Sequence, residues 1–224
     1  MSARLQMFAP KAIQNVGSPE RDCDMSMWDE RYATSEYVFG KEPSRFLIAH
    51  EKWLKPGERA LAVADGEGRN GVWMADKGLD VHAVDGSANA LQQARALARE
   101  RGVEATFEQV DLLAWDWPEA AYDVVAGIFI QFAGPEDREK VFSGMKRAVR
   151  PGGVILLHGY TPKQIEYGTG GPPFVENLYT AELLREAFSG FEILELDAYE
   201  AVINEGRGHA GKSALIDMVA RRPA

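Results

Sequence analysis

The chain has 224 residues, 46% of them hydrophobic and 26% charged, a composition that suits one soluble globular domain with a full core. Its formal net charge of -9 argues against a broad, sequence-independent grip on nucleic acid phosphates, so no nucleic acid partner is expected. One cysteine, Cys23, excludes an internal disulfide and any zinc site built on several thiolates; nothing else in the sequence calls for a metal, no apolar run is long enough for a membrane span or a secretory signal, and a cytoplasmic setting is expected.

Residues 1–26 mix Pro, Ser, Gly and charges without a sustained period and read as a poorly ordered arm. The remainder, 27–224, reads as one domain, with a helical lid over 27–57 and a core over 58–224. In the lid, Trp28, Tyr32, Tyr37, Phe39, Phe46 and Trp53 fall in two short helical segments, the second opening near Pro43. Tyr37 and Phe39 are candidates to lie near a ligand, and Arg45 to reach a carboxylate. Strand one is expected at about Arg59 to Ala64, and a helix at about Asn70 to Lys77 closed by Gly78. Strand two, LDVHAV, ends on Asp85. The next helix has Ser87 as N-cap and Gly102 as its stop. A third strand, EATFEQV, runs up to Asp111, and a fourth, YDVVAGIFIQF, is nearly continuous in apolar residues, as in a strand buried on both faces. A charged helix opens at Pro135 and ends at RPGG, VILLHGY forms strand five, and a long Gly- and Pro-rich loop follows. TAELLREAF is the last helix. FEILELDAYEAV and KSALIDMVARR, joined by NEGRGHAG, are strands six and seven.

Strands alternating with helices require a parallel sheet covered on both faces, whereas the last two strands, joined by too short a loop for a crossover, must pair antiparallel. The expected fold is therefore α/β, Rossmann-like and doubly wound: a seven-stranded, mostly parallel sheet with an antiparallel C-terminal hairpin strand. In such sheets a ligand binds beyond the carboxyl ends of the strands, where Asp65, Asp85 and Asp111 all fall.

The chain is organised around LAVADGEGRNG, Leu61 to Gly71. Gly66, Gly68 and Gly71 satisfy the dinucleotide pattern G-x-G-x-x-G, and Asp85 stands about 20 residues on, where an acid would hold ribose hydroxyls. Asp65 and Glu67, however, would meet a pyrophosphate with two carboxylates at a helix N-terminus that otherwise favours anions. A ligand with cationic groups fits better. S-adenosylmethionine, with a sulfonium, an ammonium and a ribose, meets both requirements; a nicotinamide-dependent oxidoreductase is the weaker alternative.

On GEGRN, the RPGG turn and the EGxxHxG hairpin loop, the chain resembles the class I S-adenosylmethionine-dependent methyltransferases over about residues 28 to 222, most of all the group with thiopurine and tellurite-resistance methyltransferases. The resemblance implies a seven-stranded sheet with strand seven antiparallel, and a cofactor site drawn from Asp65, Gly66, Glu67, Gly68, Arg69, Asn70, Asp85, Gly86, Ser87, Asp111, Leu112, Gly127, Ile128 and Phe129. In it, Gly66 and Gly68 lie under the methionine part, Asp85 holds the ribose, Asp111 and Leu112 contact the adenine, and Gly127, Ile128 and Phe129 flank the sulfonium. Family members commonly carry an acid and a Gly-Cys pair where this chain has Ala62, Ala64 and Asp65. The activity implied is methyl transfer to a small-molecule nucleophile, with sulfur, selenium or tellurium as the acceptor atoms the resemblance suggests and S-adenosylhomocysteine as product. A catalytically silent cofactor-binding domain is the second reading.

His158, at the end of strand five, and His209, in the hairpin loop, are candidate bases or acceptor binders. Tyr160, Gln164 and Arg207 are candidates to complete the pocket, and Arg69 or Arg207 to pair with a carboxylate. His50 and His82 read as packing or surface residues. Gly206, Gly211, Lys212 and Ser213 match the phosphate-binding pattern G-x-x-x-x-G-K-[ST], but too little chain follows for the helix and magnesium-binding acid that such a loop serves.

Overall fold

The computed structural model describes residues 27–34, 36–206 and 208–224. The expected arm over 1–26, including Cys23, and the candidate Arg207 lie outside the described residues. Seven strands form one sheet in the order β3-β2-β1-β4-β5-β7-β6. They are β1 (Arg59–Val63), β2 (Asp80–Asp85), β3 (Thr106–Gln109), β4 (Tyr122–Ile128), β5 (Val149–Tyr160), β6 (Glu192–Asn204) and β7 (Ala210–Arg221). The first five pair in parallel, and β7 runs antiparallel to both β5 and β6. The doubly wound sheet with its antiparallel hairpin is the one the sequence implies.

Side-chain alternation sorts the core into two layers. Leu61 and Val63 of β1 face a cluster with Val141, Phe142, Met145, Leu184 and Phe188, supplied by α4 (Pro135–Ala148) and the end of α6 (Ala181–Ala187). Ala60 and Ala62 face the other side, with Phe46 and Leu47 of α1 (Arg45–Ala49) and Met74 of α2 (Arg69–Asp76). α3 (Ala88–Arg101) closes against α2 through Val72, Leu97 and Ala98. Caps set the helix ends: Ser44, Ser87 and Thr180 accept from the first-turn amides of α1, α3 and α6, and Gly102 ends α3 at φ +68°.

The elements depart from the sequence reading in several places. β5 begins at Val149, because Arg150–Gly153 continue the strand through a register shift opposite Tyr122 and Val124. β4 stops at Ile128, since Phe129 turns to φ +58°. The loop after β5 is not featureless: it holds a short helix, α5 (Gln164–Tyr167), and a 3-10 turn at Val175–Asn177. The tip joining β6 to β7 opens no helix, and Lys212 is spent on a 2.9 Å ion pair with Glu200, so the phosphate-loop pattern is a coincidence of spacing.

Candidate functional site

β1 and β4 are neighbours in the sheet although the chain leaves β1 in one direction and β4 in the other, which opens a crevice at their carboxyl ends. The turn out of β1 begins at Ala64, held at φ +47° in a region a side chain disfavours. It closes by the Gly68 amide donating to the Asp65 carbonyl at 3.2 Å, and Gly68, at φ +87°, caps α2. A Cβ on Gly68 would stand 2.6 Å from the Ala94 Cβ, so α3 can approach only a glycine here.

Asp85, the last residue of β2, is buried and accepts from the Gly66 and Ser87 amides, each at 2.8 Å. The two bonds fix both oxygens and leave each a lone pair facing outward. Burial raises the Asp85 pKa, and the Ser87, Gly66 and Gly86 amides oppose the rise. Asp65 and Glu67, which the sequence reading places in the cofactor site, are both engaged by backbone amides. Asp65 turns both oxygens to the Gly71 amide at 3.1 Å, while Glu67 accepts from the Val38 amide at 2.8 Å and the Phe39 amide at 3.0 Å.

The Asp65 carboxyl is pushed up to about 7, first by burial and then, against the Gly71 amide, by the charge on Asp85. An acid whose pKa is higher folded than unfolded takes up a proton on folding between those two values. Its contribution to stability is therefore full below about pH 4 and is lost as the pH rises through 7. Asp65→Asn removes this dependence. Chemical denaturation of both proteins is expected to show the variant gaining on the wild type from pH 4 to 7, and a constant difference would refute the burial of this charge.

Glu67 thus anchors the segment before α1. The same segment is tied to α3 by Asp29, which accepts from the Ser87 hydroxyl at 2.6 Å and from the Asn89 amide at 3.1 Å. The Ser87 bond is the first cause holding the Asp29 carboxyl below its usual range. Tyr32 closes over the turn, its hydroxyl 3.1 Å from where a Gly66 Cβ would stand, and burial pushes that phenol well above its ordinary range. Glu67→Ala removes two bonds to a charged acceptor; allowing about 2 kcal/mol for local opening, amide exchange at Val38 and Phe39 is expected to quicken roughly thirtyfold. Unchanged exchange would place the anchor elsewhere.

The third wall is the β6–β7 hairpin. Arg69 pairs with Glu205 at 2.9 Å, Glu205 accepts from the Arg45 amide at 3.0 Å, and Asn70 accepts from the Ser44 amide at 2.9 Å. The other terminal nitrogen of Arg69, Nη1, is buried without a hydrogen-bond partner among the described residues. Gly206 passes so close to the lid that a Cβ would lie 2.4 Å from the Phe39 carbonyl carbon. The Arg45 guanidinium is turned to the Val202 carbonyl at 3.3 Å, and the Tyr37 hydroxyl to the Gln93 carbonyl at 3.0 Å, so neither reaches into the crevice.

At the end of β4, the His209 ring stacks on Phe39 at 4.6 Å and on Phe129 at 4.1 Å, and its Nδ1 lies 2.6 Å from the Tyr160 hydroxyl. Burial, then Arg69, His158 and Arg31, push its pKa down to about 3, so the ring is neutral at ordinary pH. His158 stacks on Phe46 at 5.0 Å, meets the edge of Phe129 at 4.5 Å, and holds Asp217 through Nδ1 at 2.5 Å. The structure thus brings together His158, Tyr160, His209 and Phe129. Gln164 is instead a scaffold residue, accepting from the Ala214 amide at 2.9 Å and donating to Thr169 at 3.0 Å. Gly127 lies inside β4, Ile128 at its end, and Gly86 accepts from Gln109 at 2.9 Å. Asp111 is exposed, accepts from the Leu113 amide at 2.9 Å and follows the end of β3; the Leu112 side chain belongs to the core. Sequence reasoning missed Asp29, Gln131, Glu205 and Asp217. Gln131 bonds both the amide and the carbonyl of Tyr160, at 2.6 and 2.9 Å. These partners lie far apart in the chain, so no local spacing marks them.

Comparison with known proteins gives this geometry its context. Residues 60–153, from β1 into β5, match a family model described as a methyltransferase domain. Over this stretch, less than half of its length, the chain is similar to methyltransferase domains. The cofactor of such domains is S-adenosylmethionine, and the crevice fits it: an unsubstituted turn at Gly66, a fixed carboxylate at the end of β2 and an unpartnered guanidinium nitrogen beside them. Phosphatidylethanolamine N-methyltransferase of Cereibacter sphaeroides is 32% identical over 133 residues, covering 57% of this chain and 64% of the relative. Demethylmenaquinone methyltransferase of Thermus thermophilus is 31% identical over 110 residues, 48% of this chain and 50% of the relative. The chain thus spans about half to two thirds of the length of these relatives. Among solved structures, a S-adenosylmethionine-dependent methyltransferase from Methanosarcina mazei superposes with a TM-score of 0.66 at 18% identity, covering 81% of this chain and 99% of the other. TehB from Haemophilus influenzae gives 0.66 at 19% identity, covering 89% and 67%. Both likenesses carry the fold and no narrower grouping. Among the described residues, no helix is long and apolar enough to cross a membrane.

Proposed function

We propose that the chain transfers a methyl group from S-adenosylmethionine to a small-molecule nucleophile. The observation that carries this reading is the Asp85 carboxylate, oriented by the Gly66 and Ser87 amides at the carboxyl ends of β1 and β2. In this reading Asp85 accepts from the ribose hydroxyls, the turn at Gly66 and Gly68 lies under the methionine part, and Arg69 Nη1 takes its carboxylate. Bound there, S-adenosylmethionine supplies an activated methyl group with a neutral thioether as leaving group. The protein's task is alignment, which can contribute several kcal/mol.

The acceptor end is assigned to the aromatic enclosure of Phe39, Phe129, His209, Tyr160 and His158. Its walls are apolar faces, and its polar tips are a neutral imidazole and a phenol, which suits a planar or weakly polar acceptor. The relatives' names point to an amine-bearing lipid and a quinone precursor rather than to sulfur, selenium or tellurium. Asp217 gives His158 the orientation of a base, which a protonated nucleophile needs and a thiolate does not. Incubation with S-adenosylmethionine and separate panels of amines, phenols or quinols, and thiols tests this. S-adenosylhomocysteine release with an amine or quinol panel member supports it; release with thiols alone would overturn the acceptor assignment.

Ala64 at φ +47°, a strained position for a residue with a side chain at the mouth of the turn, supports a second reading: a domain that binds the cofactor without turnover. Binding with no product from any panel would favour it.

A further inference from the structure

A second cluster of ligand-type side chains lies outside the crevice, where α1 packs on the β6–β7 hairpin. One donor atom each from His50, Glu195 and Asp217 falls within 4.8 Å of the other two, and His50 and Asp217 are buried. The cluster comes from three distant parts of the chain: the residue that ends α1, β6 just past a register shift between Ile193 and Glu195, and the middle of β7. The shift sets Glu195 opposite Val219, and therefore diagonal to Asp217 on one face of the hairpin.

The bonding of His50 defines what is required between these groups. Its Nδ1 lies 2.7 Å from the Phe46 carbonyl oxygen, which can only accept, so Nδ1 carries the proton. In the neutral ring Nε2 then presents a lone pair, and it points at Glu195 Oε1 from 2.8 Å. At that distance the two atoms are bridged either by a proton on Nε2 or, after a small outward shift, by a metal ion that both ligate. A ring held through Nδ1–H to a carbonyl, with Nε2 aimed at carboxylates, is how proteins orient histidine ligands of metals. Asp217 is held in turn: its Oδ1 receives His158 at 2.5 Å and the Tyr199 hydroxyl at 3.3 Å, and Oδ2 takes no hydrogen bond from any described residue. Asp197 faces Asp217 directly across the two strands, adding a further carboxylate to the same face. A single proton shared with His50 neutralises little of this charge.

We infer that His50, Glu195 and Asp217 form a binding site for one divalent transition-metal ion that clips α1 to the β6–β7 hairpin. One imidazole and two carboxylates balance a double positive charge and suit Zn2+ or Mn2+; a nitrogen donor in the set disfavours Mg2+. Through Asp217, the ion would also fix His158, whose Nδ1 donates to the Asp217 carboxylate. The inference is independent of methyl transfer, and its test needs no activity.

The experiment is calorimetric titration of the untagged full chain, stripped with chelator, with Zn2+, Mn2+ and Mg2+ separately. Saturable one-to-one binding of Zn2+ or Mn2+, with a raised melting temperature and little response to Mg2+, is expected. Glu195→Gln, at a partly exposed strand position where folding is retained, should abolish the stoichiometric binding; His50→Gln should do the same, with melting curves reporting whether its fold is kept. X-ray absorption of the Zn2+ form should show a shell of one imidazole and oxygen donors. Absence of binding by the stripped, folded chain would overturn the site and leave His50 as a proton-bridged partner of Glu195. Binding that survives Glu195→Gln unchanged would place the ion elsewhere and overturn it equally.

Discussion

Asp85→Ala is expected to weaken S-adenosylmethionine binding by roughly two orders of magnitude or more. Two hydrogen bonds from ribose hydroxyls to a charged acceptor contribute about 1.5–3 kcal/mol each, and about 1.4 kcal/mol is a tenfold change in affinity. The change also leaves the Gly66 and Ser87 amides without their acceptor, so the turn itself should loosen. Asp85→Asn is the sharper comparison: its amide can still accept one of the two N–H groups but presents a donor to the other. Titration of both variants against wild type checks this. An Asp85→Ala protein that binds within a few-fold of wild type would show that the ribose is held by another group.

The second large effect is on folding. Gly68→Ala must place a methyl group 2.6 Å from the Ala94 Cβ and 2.8 Å from its Cα while keeping φ at +87°. The left-handed conformation costs about 1–2 kcal/mol, and forcing α3 away from α2 costs about 1–3 kcal/mol more. A total of about 2–5 kcal/mol corresponds to a melting temperature lower by roughly 5–15 °C in a domain of this size. Because the obstructing atoms are largely backbone-tethered, rotamer changes cannot relieve the contact. A melting temperature within a degree or two of wild type would mean that α3 shifts freely, and that the turn is not set by this close approach.

The parts of the fold legible in the sequence are those written in local pattern. The alternation of strands and helices, Ser87 and Gly102 at the ends of α3, and the short connection before the last strand were enough for the sheet and its antiparallel edge. Boundaries failed where the backbone departs from its local preference: Phe129 turns to a positive φ despite its side chain, and RPGG, a turn signal by composition, continues β5 because β4 is there to pair with it. In the site, Asp85 stands where the spacing placed it. Asp65 and Glu67 take partners that their position does not reveal, the amides of Gly71, Val38 and Phe39. Only the packed lid reveals those amides. Asp217 and His50 were invisible for a similar reason: each acquires its meaning from partners on other elements, His158 and Glu195, that the sheet order brings alongside.

Tyr32 over Gly66, Phe39 against Gly206, and the Val38 and Phe39 amides on Glu67 hold the segment before α1 against the crevice. That segment is attached by hydrogen bonds to Glu67 and Asp29 and by the packing of Tyr32 and Val38 on Ala90 and of Tyr37 on Val72 and Leu97.

Isothermal titration of the full chain with S-adenosylmethionine is the most direct test of the central claim. Saturable one-site binding is predicted, with binding lost in Asp85→Ala at the same concentrations. No binding by wild type at high micromolar ligand, with the fold intact and no cofactor carried through purification, would contradict it.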